Sequence, residues 1–138
     1  MKLSASLLLL LLCSAGPLRA DTEELSAKLA CEPAAGVGRV RCSLSVSAPP
    51  GTRLSWVDAL VVETPAFART LRTRIAHQGS GDESAAELLL ALVADREGRG
   101  RLSVRARAVA CPKAGQPGRC HALTRLESLE LHVGAPQS

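Results

Sequence analysis

Cysteines are the residues of this chain whose type and spacing could do chemistry. Five are present; Cys13 lies in an apolar N-terminal run, and Cys31, Cys42, Cys111 and Cys120 follow it. An even number of cysteines in a short exported chain predicts two disulfides, and sequential pairing is the simplest of the three possible connectivities. Each of the two bridges would close a short loop and stabilise the fold by about 3 kcal/mol.

The two cysteine pairs differ in their surroundings. Cys42 falls on the apolar phase of an alternating strand, so we predict that the Cys31–Cys42 bridge is a buried structural link. Cys111 shares a phase with Arg105 and Arg107, which predicts that Cys111 and Cys120 are both exposed. Exposed cysteines near basic side chains could exchange thiols and disulfides, because positive charge favours the thiolate. The second pair is therefore either a structural disulfide or a redox-active one.

Other catalytic chemistry finds little support in the sequence. Cys111, Cys120 and His121 carry donor atoms that suit copper or zinc, but their spacing matches no compact metal motif. Hydrolase and phosphate-binding motifs are absent from the sequence. We therefore predict no metal, no cofactor and, apart from thiol–disulfide exchange, no enzymatic activity.

Several arginines of the second half could form one basic face. Such a face would bind an anionic partner, or it would simply be solvated. The chain has one Trp, one Phe and no Tyr. Nucleic-acid bases would therefore find too few aromatic side chains to stack on, and we predict no nucleic-acid partner. The candidate anion-binding residues are Arg72, Arg74, Arg101, Arg105 and Arg107.

The N-terminus has the form of a secretory signal. Lys2 precedes a short apolar run that is too short to cross a bilayer, and small residues follow it. We predict a signal peptide over 1–20, cleaved after Ala20, and a single domain over 21–138. Loss of Lys2 and Arg19 with the signal would lower the net charge from +4 to +2. No later segment predicts a membrane span, so the mature protein is expected to be secreted or periplasmic.

Alternating apolar residues predict about seven short strands. The clearest runs from 39 to 48, with Val40, Cys42, Leu44 and Val46 on the core side. The segment 67–76 carries charge on both faces, which suits an edge strand, and Trp56 is expected in the core. Two segments stay open between strand and helix: 84–94, where strand is favoured although residues 84–87 resemble a helix capping box, and 121–131.

This pattern predicts an all-β fold, an antiparallel immunoglobulin-like β-sandwich of about seven strands with two short-loop disulfides. The cysteine and tryptophan spacing of antibody domains is absent, because Trp56 lies outside both cysteine loops.

The order of breaks and cysteines also resembles a known family. A Pro-Gly break at 48–51, a Gly-containing turn, a strand ending at Cys111, a Gly-rich loop, Cys120 and a last strand are similar to the N-terminal immunoglobulin-like domain of DsbD-type thiol:disulfide interchange proteins. The resemblance covers about residues 40 to 133. It implies that Cys111 and Cys120 are a redox pair that exchanges electrons with a thioredoxin-fold partner. The loop is longer than that family's, and no aromatic residue lies near these cysteines.

Two functions follow from these observations. The first is an exported, non-catalytic binding or accessory module whose partner is a protein of the envelope or the extracellular space. The alternative is a periplasmic thiol:disulfide exchange domain that uses Cys111 and Cys120.

Overall fold

The computed structural model describes Gly16, residues 24–77 and residues 83–135. The predicted signal peptide and its cleavage site fall outside these residues, apart from Gly16. No helix in the described parts of the chain is long and apolar enough to cross a membrane. Within residues 24–77 and 83–135 the chain forms eight strands: β1 Ser26–Cys31, β2 Gly38–Ser47, β3 Thr52–Glu63, β4 Ala68–Thr70, β5 Arg74–Ala76, β6 Ala85–Ala94, β7 Gly98–Pro112 and β8 His121–Val133.

The strands form two antiparallel four-stranded sheets. The first sheet has the order β1-β2-β6-β4 and the second the order β5-β3-β7-β8. In chain order, these are the A-B-E-D and C-F-G sheets of an immunoglobulin sandwich, with β5 added beside strand C. The predicted immunoglobulin-like β-sandwich with two disulfides is therefore confirmed.

Every second residue of the strands faces the core between the two sheets. Val40, Cys42, Leu44 and Val46 of β2 are buried as predicted. Both ambiguous segments are strands: β6 alternates buried residues with exposed or half-buried ones along its whole length, and β8 includes 121–131. Tertiary pairing decides against the helical propensity at 84–87, because β6 lies between β2 and β4 and bonds to both.

The segment 67–76 does not form the single strand that its sequence pattern predicts. Residues 71–73 cross from one sheet to the other, so β4 pairs with β6 and β5 pairs with β3. Backbone hydrogen bonds hold the crossing at both ends, from Leu71 to Ala91 (2.9 Å) and from Val61 to Thr73 (2.8 Å). The predicted edge position is correct for both pieces, since each ends its sheet.

Trp56 is not in the core, contrary to the sequence prediction. It is 39% exposed, because β3 contains a β-bulge between Leu54 and Trp56. Ser55 is the additional residue of the bulge, and its hydroxyl donates to the carbonyl of Val109 (3.2 Å). A bulge reverses the alternation beyond it, so Leu54 and Val57 face the core while Trp56 faces outward.

Both predicted disulfides are present, Cys31–Cys42 and Cys111–Cys120. Cys31 and Cys42 lie directly opposite each other on β1 and β2, with Cα atoms 3.9 Å apart. The backbone amide of the neighbouring Glu32 donates to the backbone carbonyl of Arg41 (2.8 Å). The cysteines therefore occupy a non-hydrogen-bonded pair of the ladder, where opposite side chains approach most closely. Cys42 is buried in the core, as expected for a structural link.

Candidate binding face of the second sheet

The outer face of the second sheet carries a cluster of charged side chains around a tryptophan. Strand β3 turns Trp56, Asp58 and Leu60 outward, while Val57 and Ala59 face the core. The register places Arg107 of β7 opposite Asp58. It places Arg74 of β5 opposite Leu60. Pairing of three separate strands thus assembles a tryptophan, a carboxylate and two guanidinium groups.

Asp58 is the centre of this group. Its carboxylate is fully buried, and Arg107 binds both oxygens, with Nε 2.9 Å from Oδ1 and Nη2 bonded to Oδ2. Arg74 donates from Nε to Oδ2 at 2.7 Å. Burial alone would raise the pKa of Asp58, but the hydrogen bonds and charges of Arg107 and Arg74 outweigh it and lower the pKa below its ordinary value. The hydrogen bond to Asp58 raises the pKa of Arg107 in turn.

The Trp56 ring lies beside the two guanidinium groups that bind Asp58. The guanidinium carbons of Arg107 and Arg74 lie 5.6 Å and 6.0 Å from the centre of its ring, within the range of a cation–π contact. The side chains of Arg74 and Arg107 keep 55% and 36% of their surface exposed. The three side chains therefore form a fixed, solvent-facing unit of mixed aromatic and cationic character.

Arg105 extends this face toward β8. It lies between Leu60 and Leu126 on the neighbouring strands, and no described residue forms an ion pair with it. Because Asp58 balances only one of Arg74 and Arg107, these four charged groups leave a net charge of about +2 at neutral pH. Leu126 is 53% exposed at the rim.

The five predicted anion-binding arginines do not form one cluster. Arg74, Arg105 and Arg107 come together, whereas Arg72 lies in the crossing between β4 and β5. Arg101 lies opposite Glu130 near the other end of β7. Asp58 was not among the residues predicted from the sequence, although a single carboxylate inside the apolar run 56–62 is a signal that the strand meets a cation.

Cys111 is buried, contrary to the prediction that both late cysteines are exposed. Its residual exposure is 4%, and it lies outside the main core cluster. The loop after β7 packs back on the strand end beside it, since a Cβ placed on Gly118 would lie 2.9 Å from Cγ of Pro112. Cys120 is exposed, as are Lys113 and Arg119. The bridge therefore has one accessible and one inaccessible cysteine.

Metal binding has no evident site in the described residues. No group of three or more His, Cys, Asp or Glu side chains within residues 24–77 and 83–135 could hold a metal ion. Thiols that are joined in a disulfide are not thiolate ligands. Two disulfides in a chain of this size indicate folding in an oxidising, extracytoplasmic compartment.

Comparisons with known proteins give only distant matches. No protein-family model and no curated protein matches the chain. Among solved structures, the ASH/PapD-like domain 7 of human CEP192 is 11% identical, with a TM-score of 0.44 over 99% of this chain and 100% of that chain. AggA, the major subunit of aggregative adherence fimbriae type I from Escherichia coli, is 10% identical, with a TM-score of 0.42 over 81% of this chain and 97% of that chain. At this level of identity neither likeness bears on function.

Proposed function

We propose that this protein is an exported, non-catalytic binding module, and that the outer face around Trp56 binds an acidic segment of a protein in the envelope or the extracellular space. The observation that carries this proposal is the exposed Trp56 ring beside Arg74 and Arg107, both of which bind the buried Asp58. Tryptophan and arginine are, with tyrosine, the residues most enriched among those that dominate protein–protein affinity.

The geometry favours an acidic partner. Asp58 restrains the two guanidinium groups, so little side-chain entropy would be lost when a ligand binds them. Arg105 adds a charge that no described residue balances, and an arginine can bind a carboxylate through two parallel hydrogen bonds. Trp56 would cover the apolar part of the same ligand. A neutral or basic segment would leave these cations without compensation.

Trp56 provides a direct test, because it is the single tryptophan of the chain. We would titrate the purified protein with peptides that contain Asp, Glu and an aromatic residue, and with matched peptides in which Asn and Gln replace the acids. The proposal predicts a saturable change in tryptophan emission with the acidic peptides alone, weaker at high salt.

Two arginine variants localise the binding. Arg105→Gln removes one charge from the proposed face and should lower the affinity for the acidic peptides by about tenfold. Arg41→Gln removes an exposed charge from the outer face of the first sheet and should leave affinity unchanged. Equal effects of both substitutions would mean that net charge, and not this face, governs binding.

Thiol–disulfide exchange is the second candidate, and the exposure of Cys120 favours it. In this reaction a thiolate of a thioredoxin-fold partner attacks Sγ of Cys120, a mixed disulfide forms, and Cys111 leaves as a thiolate that then takes a proton. The burial of Cys111 opposes the last step, because a poorly solvated thiolate is a poor leaving group.

The reduction potential of each pair separates the candidates. Glutathione titration with mass mapping of alkylated thiols would measure both bridges in one sample. Opening of Cys111–Cys120 near about −200 mV would support exchange, and resistance below about −300 mV would identify it as a structural disulfide. Cys31–Cys42 is the internal control, because Cys42 is part of the core.

A further inference from the structure

Strand β8 is a long and regular sheet edge. It spans 13 residues, contains no Pro or Gly, and pairs with β7 without a register shift. The other edge strands have six, three and three residues. Near its C-terminal end β8 is covered by residue Ala34, which bridges Val133 and accepts from Gly134 (2.9 Å). Within the described residues, no segment pairs with the outer edge of 122–128, and open edges of this length invite pairing with another chain.

The pairing of β3 shows which way the backbone groups of the second sheet point. The carbonyl of Val57 accepts from His77 (3.1 Å), and the amide of Val61 donates to Thr73 (2.8 Å). Residues 57 and 61 therefore bond toward β5, and the alternate residues 58 and 60 bond toward β7.

The same alternation continues to β8. Since Arg107 and Arg105 of β7 bond toward Asp58 and Leu60, the residues between them on β7 bond toward β8. On β8, residues 123, 125 and 127 use their backbone groups for β7. Residues 122, 124, 126 and 128 point theirs at the open edge, and a fifth strand must pair with these even-numbered residues.

We propose that a second copy of this chain occupies this edge, with β8 antiparallel to β8 and Leu126 opposite Leu126 of the second copy. This register forms hydrogen-bonded pairs among the even-numbered residues. Within one chain Arg125 donates from Nε to Glu127 (3.0 Å) and lies 3.6 Å from Glu24. The register places Arg125 of each copy opposite Glu127 of the other, so each Arg125 would also bind the second copy's Glu127, and the two arginines and two glutamates would form one network about the two-fold axis. Non-hydrogen-bonded pairs of this kind have the closest side chains.

Charge selects this register over its neighbours. A two-fold axis at residue 125 would place Arg125 against Arg125, and an axis at residue 127 would place Glu127 against Glu127. Like charges directly opposite each other destabilise a strand pair. Axes at residues 124 or 128 would leave Arg125 against Leu123 or Leu131. Only the axis at Leu126 matches both charges.

The proposed pairing joins two second sheets into one of eight strands. The exposed Leu126 side chains would cover each other at the centre, on the same outer face that carries Trp56. This inference does not depend on the proposed binding function, because it rests on the edge backbone and on the charges of β8 alone.

Sedimentation equilibrium of the purified, disulfide-bonded chain from micromolar to millimolar concentration tests the proposal. A monomer–dimer equilibrium is expected. Arg125→Glu should weaken the dimer by about tenfold or more, and the double variant Arg125→Glu/Glu127→Arg should restore it to within about threefold. Circular dichroism would confirm that the variants are folded. A wild-type chain that stays monomeric at millimolar concentration would overturn the proposal, as would a folded double variant that does not recover.

Cysteine cross-linking tests the register itself. In the proposed dimer, Leu126→Cys places the two new thiols in one hydrogen-bonded pair, whose Cα separation of about 5.5 Å permits a disulfide. Ser128→Cys serves as the matched control, because residue 128 lies opposite Thr124 and far from its own copy. Under mild oxidation, covalent dimers should form at least about tenfold faster with Leu126→Cys. Equal rates for the two variants would contradict the register.

Discussion

Asp58 and Arg107 lie opposite each other on β3 and β7, and the guanidinium of Arg107 binds both oxygens of a carboxylate that has no exposed surface. Arg74 adds a third hydrogen bond from β5. The three strands at one side of the second sheet are therefore joined by a side-chain network in addition to their backbone ladder. The same network fixes the cations beside Trp56, so stability and the proposed binding face depend on one carboxylate.

Replacing Arg107 by Gln should destabilise the fold by about 1–3 kcal/mol, because Asp58 would stay buried with only one cationic partner. The partial exposure of Arg107 places the cost toward the lower end of that range. Urea unfolding measures the change. Arg105→Gln, two residues away on the same face, should change the free energy of unfolding by less than about 0.5 kcal/mol; equal losses in the two variants would contradict the role of Asp58.

Asp58 should also contribute an acid-dependent part of the stability. Its folded-state pKa is lowered, so the unfolded chain binds more protons at acid pH and stability rises with pH in that range. The contribution is complete above the ordinary pKa of an aspartate and is lost as pH falls through the lower, folded value. Urea midpoints from about pH 5 to about pH 2 would show this loss in the wild type, with a shallower slope in Asp58→Asn. Parallel slopes would assign the acid sensitivity to other carboxylates.

The sequence predicted the fold well where alternation was regular. The alternation of apolar residues from Val40 to Val46 predicted which side of that strand is buried, and four cysteines at short spacings predicted the two disulfides. It failed at Trp56, because a single additional residue in β3 reverses the alternation without any Gly or Pro to mark it. It failed at 71–73 because the crossing between sheets depends on hydrogen bonds to Ala91 and Val61, which are distant in sequence. Asp58 was missed for the same reason, since its partners are 16 and 49 residues away.

Deletion of Ser55 should be tolerated, although it lies within a central strand. Leu54 and Trp56 already lie opposite the consecutive residues Ala110 and Val109, so the deletion would leave a regular ladder with Trp56 still outward. We expect a loss of about 1 kcal/mol, chiefly from the hydrogen bond to Val109. Acrylamide quenching should continue to report an exposed tryptophan.

Deletion of Ser45 in β2 is the matched control for this experiment. There the alternation is uninterrupted, so removal of one residue would turn either Leu44 or Val46 away from the core. Loss of the folded state is expected. If both deletions unfold the protein equally, the bulge at Ser55 is itself required for the fold.

Gly100 of β7 should not accept a side chain. A Cβ at this position would lie 2.7 Å from Cβ of Pro65, and a proline ring held at the turn before β4 cannot rotate away as a longer side chain could. Gly100→Ala is therefore expected to lower the free energy of unfolding by about 1–3 kcal/mol, the usual cost of overpacking. Gly36→Ala is the control, because open space surrounds its Cβ position, and a small gain is expected from the stiffer unfolded chain. Thermal unfolding of the two variants side by side decides the matter: a Gly100→Ala midpoint at or above that of the wild type would mean that β7 shifts away from Pro65 at no cost.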